Sequence, residues 1–258
     1  MNHPPLDSTQ RFSDRVDNYI RYRPRYPDTL LPLLERELKL APNHVIADIG
    51  CGPGLSSEPF LRFGSKVYGI EPNDPMRQAA QRLLADFAKF HAFKGTAEST
   101  TLPDHHVDFI TAMQAFHWFD REKAKAEFLR ILKPAGHAIL IWNTRKKGVS
   151  PFLDAYEHLL QQFATDYTLV RHDNIDEGAL RTFLGPTFTH HRLDNQQIFD
   201  YPALEGRLLS SSYVPAADHP NHAPMLRELK RIFDRFNENG AVPFDYDTDV
   251  YWGSLKSA

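Results

Sequence analysis

Two stretches in the first half of the chain have the residue types and spacing to do chemistry. The first is Asp48-Ile49-Gly50-Cys51-Gly52-Pro53-Gly54, inside "VIADIGCGPGLSSEPF". Glycines at alternate positions remove the Cβ atoms that would hold a ligand off the backbone. A dinucleotide fingerprint needs a third small residue where this chain has Leu55, so that pattern fails. A phosphate-cradling loop would end in Gly-Lys-Ser/Thr, which is also missing. The acid Asp48 beside the loop disfavours a pyrophosphate through like-charge repulsion. The second stretch is "QAFHWF", Gln114 to Phe119, which holds a histidine among aromatic side chains.

A glycine loop preceded by an acid suits a cationic ligand without phosphate. S-adenosylmethionine, with its sulfonium and ammonium groups, meets that description. Glu71 ends the next apolar run, 19 residues beyond Gly52. A carboxylate there can accept both hydroxyls of a ribose. Pro72 and Met76 can border an adenine with apolar, polarizable surface. In "GTAES", Thr96 and Ala97 lead to Glu98, which can accept from the exocyclic amine of that base.

Methyl transfer from a sulfonium is an in-line displacement, so positioning and a dry cavity supply most of the catalysis. A carboxylate acceptor needs no base, whereas a hydroxyl or amine does. His117 is the candidate base or anion binder, and Trp118 with Phe116 supplies apolar wall. "RYRPRYP" gathers Arg21, Arg23 and Arg25 with Tyr22 and Tyr26. "WNTR", with Asn143 and Arg145, and the hydroxyls of "SSSYVP" are candidates for substrate contacts. Arg23 and Arg145 suit a carboxylate as bidentate partners. The lone cysteine, Cys51, excludes an internal disulfide, and its place in the loop speaks for packing rather than thiol catalysis. The pairs His105-His106 and His190-His191 lack metal-ligand spacing, so no metal site is expected.

The elements that must position these groups follow from apolar periodicity. A flexible stretch over 1–13 is expected, then a short helix from Asp14 to Tyr22, ended by "RPRYP". Asp28 is the expected N-cap of a helix with Leu30, Leu31, Leu34 and Leu38 on one side. Strands at "HVIADIG" and "KVYGIEP", a helix begun by Asp74 and Pro75, a short third strand near "FKG" and a fourth strand at "VDFITAM" come next. A helix over "REKAKAEFLRILKPAG", stopped by its last residues, precedes a fifth strand at "HAILIWNTR". This alternation predicts an α/β fold with a doubly wound, mostly parallel sheet. The later chain reads as helices, an extended stretch at "FTHHRLDNQQIFDY", and a final antiparallel strand where Val242, Phe244, Tyr246, Thr248, Val250 and Trp252 alternate.

The motifs "VIADIGCGPG", "VYGIEPNDPM", "GTAE", "QAFHWFD" and "ILKPAGHAILIWN", in this order, resemble the class I S-adenosylmethionine-dependent methyltransferases. They look most like the small-molecule branch that includes trans-aconitate methyltransferase-like enzymes, and "YIRYRPRYP" is similar to the same branch. The likeness covers roughly residues 10–145. It implies a Rossmann-like seven-stranded sheet with a reversed last strand and helical lid insertions. It also implies that Gly50, Cys51, Gly52 and Gly54 line the methionine part. Glu71 would hold the ribose, and Met76, Ala97 and Glu98 would surround the adenine. Gln114 and Ala115 would face the sulfonium. The segment with Tyr19 and Arg23 would form a lid over the methionine carboxylate or an anionic substrate.

Composition narrows the rest. A formal net charge of −3 gives no global field toward nucleic acid or an anionic membrane. No run approaches the roughly 20 apolar residues of a membrane span, and no apolar leader core opens the chain. One methyltransferase domain over 1–258 is expected: an N-terminal lid and helix over 1–40, a cofactor core over 41–145 and substrate-side insertions over 146–258. The expected protein is cytoplasmic, a monomer or weak homodimer, and it methylates a small molecule at a carboxylate or another oxygen. The alternatives are an RNA or protein methyltransferase, or a non-catalytic S-adenosylmethionine-binding module.

Overall fold

The computed structural model describes residues 16–165, 167 and 177–255. The stretch read as flexible, 1–13, and the helix start at Asp14 lie outside them. Apolar runs of four to eight residues bounded by turns form the strands of a sheet buried on both faces. These are β1 (Val45–Ile49), β2 (Lys66–Ile70), β3 (Phe90–Phe93), β4 (Val107–Met113) and β5 (Leu132–Arg145). Two longer strands, β6 (Thr189–Phe199) and β7 (Val242–Gly253), complete one seven-stranded sheet in the order β3-β2-β1-β4-β5-β7-β6. The first five pair in parallel. The reversed strand β7 runs antiparallel between β5 and β6.

Strand parity sorts the core. Ile46, Val67 and Ile139 join Leu30, Leu33 and Leu34 of α2 (Leu30–Leu38) and Phe60 of α3 (Ser57–Phe63). Ala47, Ile49, Ile70 and Leu140 join Ala124, Phe128 and Ile131 of α5 (Arg121–Ile131) and Phe183 of α7 (Glu177–Leu184). A third cluster lies under the carboxyl half of the chain. There α6 (Pro151–Phe163), α8 (Tyr201–Leu209) and α9 (His222–Phe236) pack on Val242, Phe244 and Tyr246. The short α1 (Val16–Tyr22) buries none of its own residues and rests on α8.

Several boundaries differ from expectation. The N-cap of α4 (Asp74–Leu83) is Asn73, whose Oδ1 accepts from the Met76 N–H at 2.9 Å, and not Asp74. The residue before α2 is Thr29, without a side-chain cap, and not Asp28. Helix α4 ends at Leu83, and β3 begins at Phe90, which pairs with Val67 in the sheet. "LKPAG" extends β5 and does not end α5: Leu132 pairs with Val107, and the register then jumps to His137 opposite Phe109.

Glu127 on α5 ties the loop beyond β3 to the body. Its Oε1 accepts from the Thr100 N–H at 2.7 Å, and Arg130 donates to both of its oxygens. Burial alone would raise this carboxyl; the Arg130 and Thr100 bonds outweigh it and bring it down to about 2. The stabilisation is therefore complete above the ordinary carboxyl value of 4.5 and is lost as pH falls toward about 2. Glu127→Gln is expected to cost about 1–2 kcal/mol at pH 7, given the solvent around Arg130. Urea unfolding of both proteins between pH 6 and pH 2 checks this, with the gap closing as the solution becomes acid.

Candidate active site

The parallel strands all present their carboxyl ends at one edge. Strand order reverses at β1 and β4, the place where open α/β sheets bind ligands. Two hollows meet there, of about 860 and about 1190 Å³ counted out to their mouths. Each can hold a small molecule. They share Tyr19, Gly50, Met113, Gln114 and Trp118 as a common wall.

The smaller hollow collects the residues expected around a nucleoside. Gly52 and Glu71 form its floor; Pro72, Met76, Thr96, Ala97, Glu98 and Ala115 form its sides. Glu71 is buried. Its Oε2 accepts from the Gly52 N–H at 2.9 Å and its Oε1 from the Asn73 N–H at 2.8 Å. Burial raises its carboxyl above the ordinary range, against the pull of those two bonds. Each oxygen keeps lone pairs for a further donor, which fits a ribose diol. Gly52 takes φ +55°, and a Cβ added there would meet nothing within 4 Å. The space beside the backbone is thus open to a ligand. Gly50 abuts the chain just beyond β4 instead: a Cβ there would lie 2.7 Å from the Ala115 Cβ. Gln114, at φ +62°, sits in a left-handed conformation uncommon outside glycine and donates its amide to the Asn143 carbonyl at 3.0 Å.

Two expected loop contacts are corrected. Asp48 faces neither hollow. It is fully buried, and its carboxylate accepts from the Ser56 and Ser57 hydroxyls at 2.6 Å and from Thr111 at 3.0 Å. It shares the strand face of Ile46, under α3, so it shapes the loop from behind. Gly54 also lines neither hollow. At φ +92° it lets the loop approach α4, where a Cβ would lie 2.6 Å from the Leu84 Cδ1.

The larger hollow lies on the other side of the common wall. Cys51, Tyr19, Arg23, His117 and Trp118 all line it. His117 sits in a single 3-10 turn, Phe116–Trp118, with its ring 4.9 Å from that of Trp118. Phe116 is fully buried against Phe183 and Trp142 and lines neither hollow, so it supports the turn and not the cavity wall. Arg145 lines the hollow, but Glu157 and Tyr167 already answer its charge. Sequence reasoning missed Arg207 of α8 and the roles of Tyr213 and Tyr246. Arg207 is buried, and its guanidinium donates to the Tyr246 and Ser211 hydroxyls at 3.1 Å. A lone arginine in the helical run "ALEGRLL" is the one available signal. Among the described residues no carboxylate pairs with Arg23 or Arg207. Burial would raise the Tyr213 phenol, but Arg207, Arg145 and Arg23 together hold it below its ordinary value. No group of three or more His, Cys, Asp or Glu among the described residues could hold a metal. None of the described helices is long and apolar enough to cross a membrane.

The seven-stranded sheet with its reversed strand β7 has the Rossmann-like architecture that the sequence leads one to expect. Residues 47–140 match the family described as a methyltransferase domain. An uncharacterized methyltransferase of Mycobacterium tuberculosis is 34% identical over 143 residues, 54% of each chain. The chain thus spans about half the length of that relative. An uncharacterized methyltransferase of Schizosaccharomyces pombe is 26% identical over 93% of this chain and 95% of its own. A candidate type II methyltransferase from Anaeromyxobacter dehalogenans shares the fold with a TM-score of 0.66 at 24% identity, over 92% of this chain and 100% of its own.

Cys51 offers a direct check of the geometry. It is 3% exposed, and burial, with Asp48 and Glu71 nearby, pushes its thiol well above the ordinary value. In native protein at pH 8 an aromatic disulfide reagent should react at least about 100-fold more slowly than with a free thiol. Denaturant should release one fast-reacting thiol per chain, followed by absorbance.

Proposed function

We propose that the protein transfers a methyl group from S-adenosylmethionine to an oxygen of a small carboxylic acid. The observation that carries this reading is the pair Arg23 and Arg207 in the larger hollow. Arg207 is buried and Arg23 half-buried, and among the described residues no carboxylate pairs with either guanidinium. Uncompensated buried charge is costly, and a bound anion relieves it.

The smaller hollow fits the methyl donor. Glu71 would accept from the ribose, Met76 and Ala97 would flank the adenine, Glu98 would stand at its edge, and Gly50 with Gly52 would admit the methionine part. When bound, the donor supplies a methyl group on a positively charged sulfur. The chain's own residues do the rest. Tyr19, Met113 and Trp118 stand in both hollows and exclude water where the two ligands would meet. Arg207 and Arg23 hold the acid in place, so that one oxygen is presented across that wall. A carboxylate acceptor carries no proton, so His117 then acts as a wall and polar contact and not as a base. Both hollows are built from this one chain, so the reading needs no second subunit.

Calorimetry with S-adenosylmethionine should show binding that Glu71→Ala weakens at least tenfold, by loss of charge-assisted hydrogen bonds of about 1.5–3 kcal/mol. With a labelled methyl donor, a panel of small acids, phenols and amines should yield label in base-labile esters of acids. Label confined to RNA, to protein or to amines would refute the acid reading. His117→Ala should keep turnover within about tenfold of the parent, since no proton transfer is required of it.

A further inference from the structure

An acceptor that arrives as a hydroxyl must lose a proton as it is methylated. No carboxylate among the described residues lines the larger hollow to take it. Glu157 of α6 is engaged by Arg145 and by the Tyr167 hydroxyl. Phenols are plentiful there: Tyr19, Tyr26, Tyr167, Tyr213 and Tyr246 all line the hollow. Their surroundings differ. Burial pushes Tyr26 well up and raises Tyr246. Burial and the bond to Glu157 push Tyr167 up. The Cys51 thiol is pushed up by burial as well.

Tyr213 stands apart. It follows α8 in a turn closed by the Val214 N–H on the Ser211 carbonyl at 3.2 Å. The Thr165 N–H donates to its carbonyl at 3.1 Å, and its ring meets the Tyr167 ring edge-on, with centroids 5.0 Å apart. The phenol so placed takes positive charge from separate parts of the chain: Arg207 of α8, Arg145 of β5 and Arg23 beyond α1. Arg207 also acts through a hydroxyl. Its Nη1 donates to the Ser211 Oγ at 3.1 Å, which leaves the Ser211 proton for the Tyr213 oxygen, to which it is bonded. Burial opposes a negative charge there, but the guanidiniums and that bond outweigh it. The neighbouring Tyr156 of α6 is pushed the other way, by burial and by the Tyr213 charge itself, so it stays neutral.

We propose that Tyr213 takes the proton from a phenol bound in the larger hollow, which gives the site a second activity, the O-methylation of aromatic hydroxyls. The phenol oxygen attacks the methyl carbon and its proton passes to the Tyr213 oxygen. The carbon–sulfur bond breaks, and its electron pair goes to sulfur. The products are an aryl methyl ether and the neutral thioether S-adenosylhomocysteine, and Tyr213 returns its proton to water. A phenol is the acceptor class because its acidity lies close to that of the tyrosine that must accept from it, whereas an alkyl alcohol lies far above. Trp118, Tyr26 and Tyr167 offer aromatic wall to its ring. The guanidiniums that favour the Tyr213 anion also favour the developing phenolate. The step takes its methyl donor from the proposed function but not its acid acceptor.

Two readouts on the full chain test it. Ultraviolet absorbance of the ligand-free protein between pH 7 and pH 11 should show one tyrosine ionising ahead of the others, missing in Tyr213→Phe. With a labelled methyl donor, phenol, catechol and 4-hydroxybenzoate should yield at least one base-stable labelled ether, its rate rising with pH through the same midpoint. Tyr213→Phe should lower ether formation at least about 100-fold and remove that pH dependence. Ser211→Ala, which keeps the phenol, should move both midpoints upward together. The proposal falls if no phenol yields an ether, if Tyr213→Phe keeps the ether rate and its pH profile, or if Ser211→Ala moves neither midpoint. Ether formation lost in His117→Ala but kept in Tyr213→Phe would overturn it too. Esters of acids without ethers would sink the phenol activity and leave the acid reading. Ethers that depend on Tyr213, without esters, would do the reverse.

Discussion

One buried carboxylate holds the carboxyl edge of the sheet in shape. Asp48 takes hydroxyl bonds from Ser56 and Ser57 at the start of α3 and from Thr111 on β4. Those three bonds fix how far the chain rises after β1 before it turns into the helix. The loop between them must then place Gly50 against Ala115 and Gly52 within reach of Glu71. Burial raises the Asp48 carboxyl, and the three hydroxyl bonds act against that rise. The loop is therefore a rigid part of the sheet's edge, formed before any ligand arrives.

Charge is divided across the common wall. The smaller hollow has Glu71 on its floor and Glu98 on its side, and no basic side chain among the described residues lines it. The larger hollow has Arg23, Arg145, Lys147 and Arg207, and no acid among the described residues lines it. The two sides of Tyr19, Met113 and Trp118 therefore carry opposite charge. Such a division of charge favours a cation in the one hollow and an anion in the other.

The sheet was legible because buried strands leave apolar runs of the right length, and because a period of two marked β7. The smaller hollow was legible because its residues sit at strand ends, in fixed positions relative to those runs. Asp48 was misassigned because nearness in sequence says nothing about which strand face a side chain takes. Its parity with Ile46 was the clue. Gly54 was misassigned because its constraint comes from Leu84, a residue brought up by folding. Arg207 was missed for a similar reason. An arginine becomes a buried, unanswered charge only when α8 is laid against β7 and α1, and nothing local records that.

The position of β7 has a consequence for how the chain is made. It lies between β5 and β6 and is the only strand that β6 pairs with. As synthesis proceeds from the amino end, the first five strands can assemble in parallel while the rest is still emerging. β6, with alternate residues exposed along its length, then waits through α8 and α9 with no neighbour. It must stay single until Val242–Gly253 arrives and fills the gap by pairing on both sides at once. The larger hollow, which draws on Arg207 and Tyr246, comes into being only at that last step. The smaller hollow draws on no residue beyond Phe119 and can form long before that.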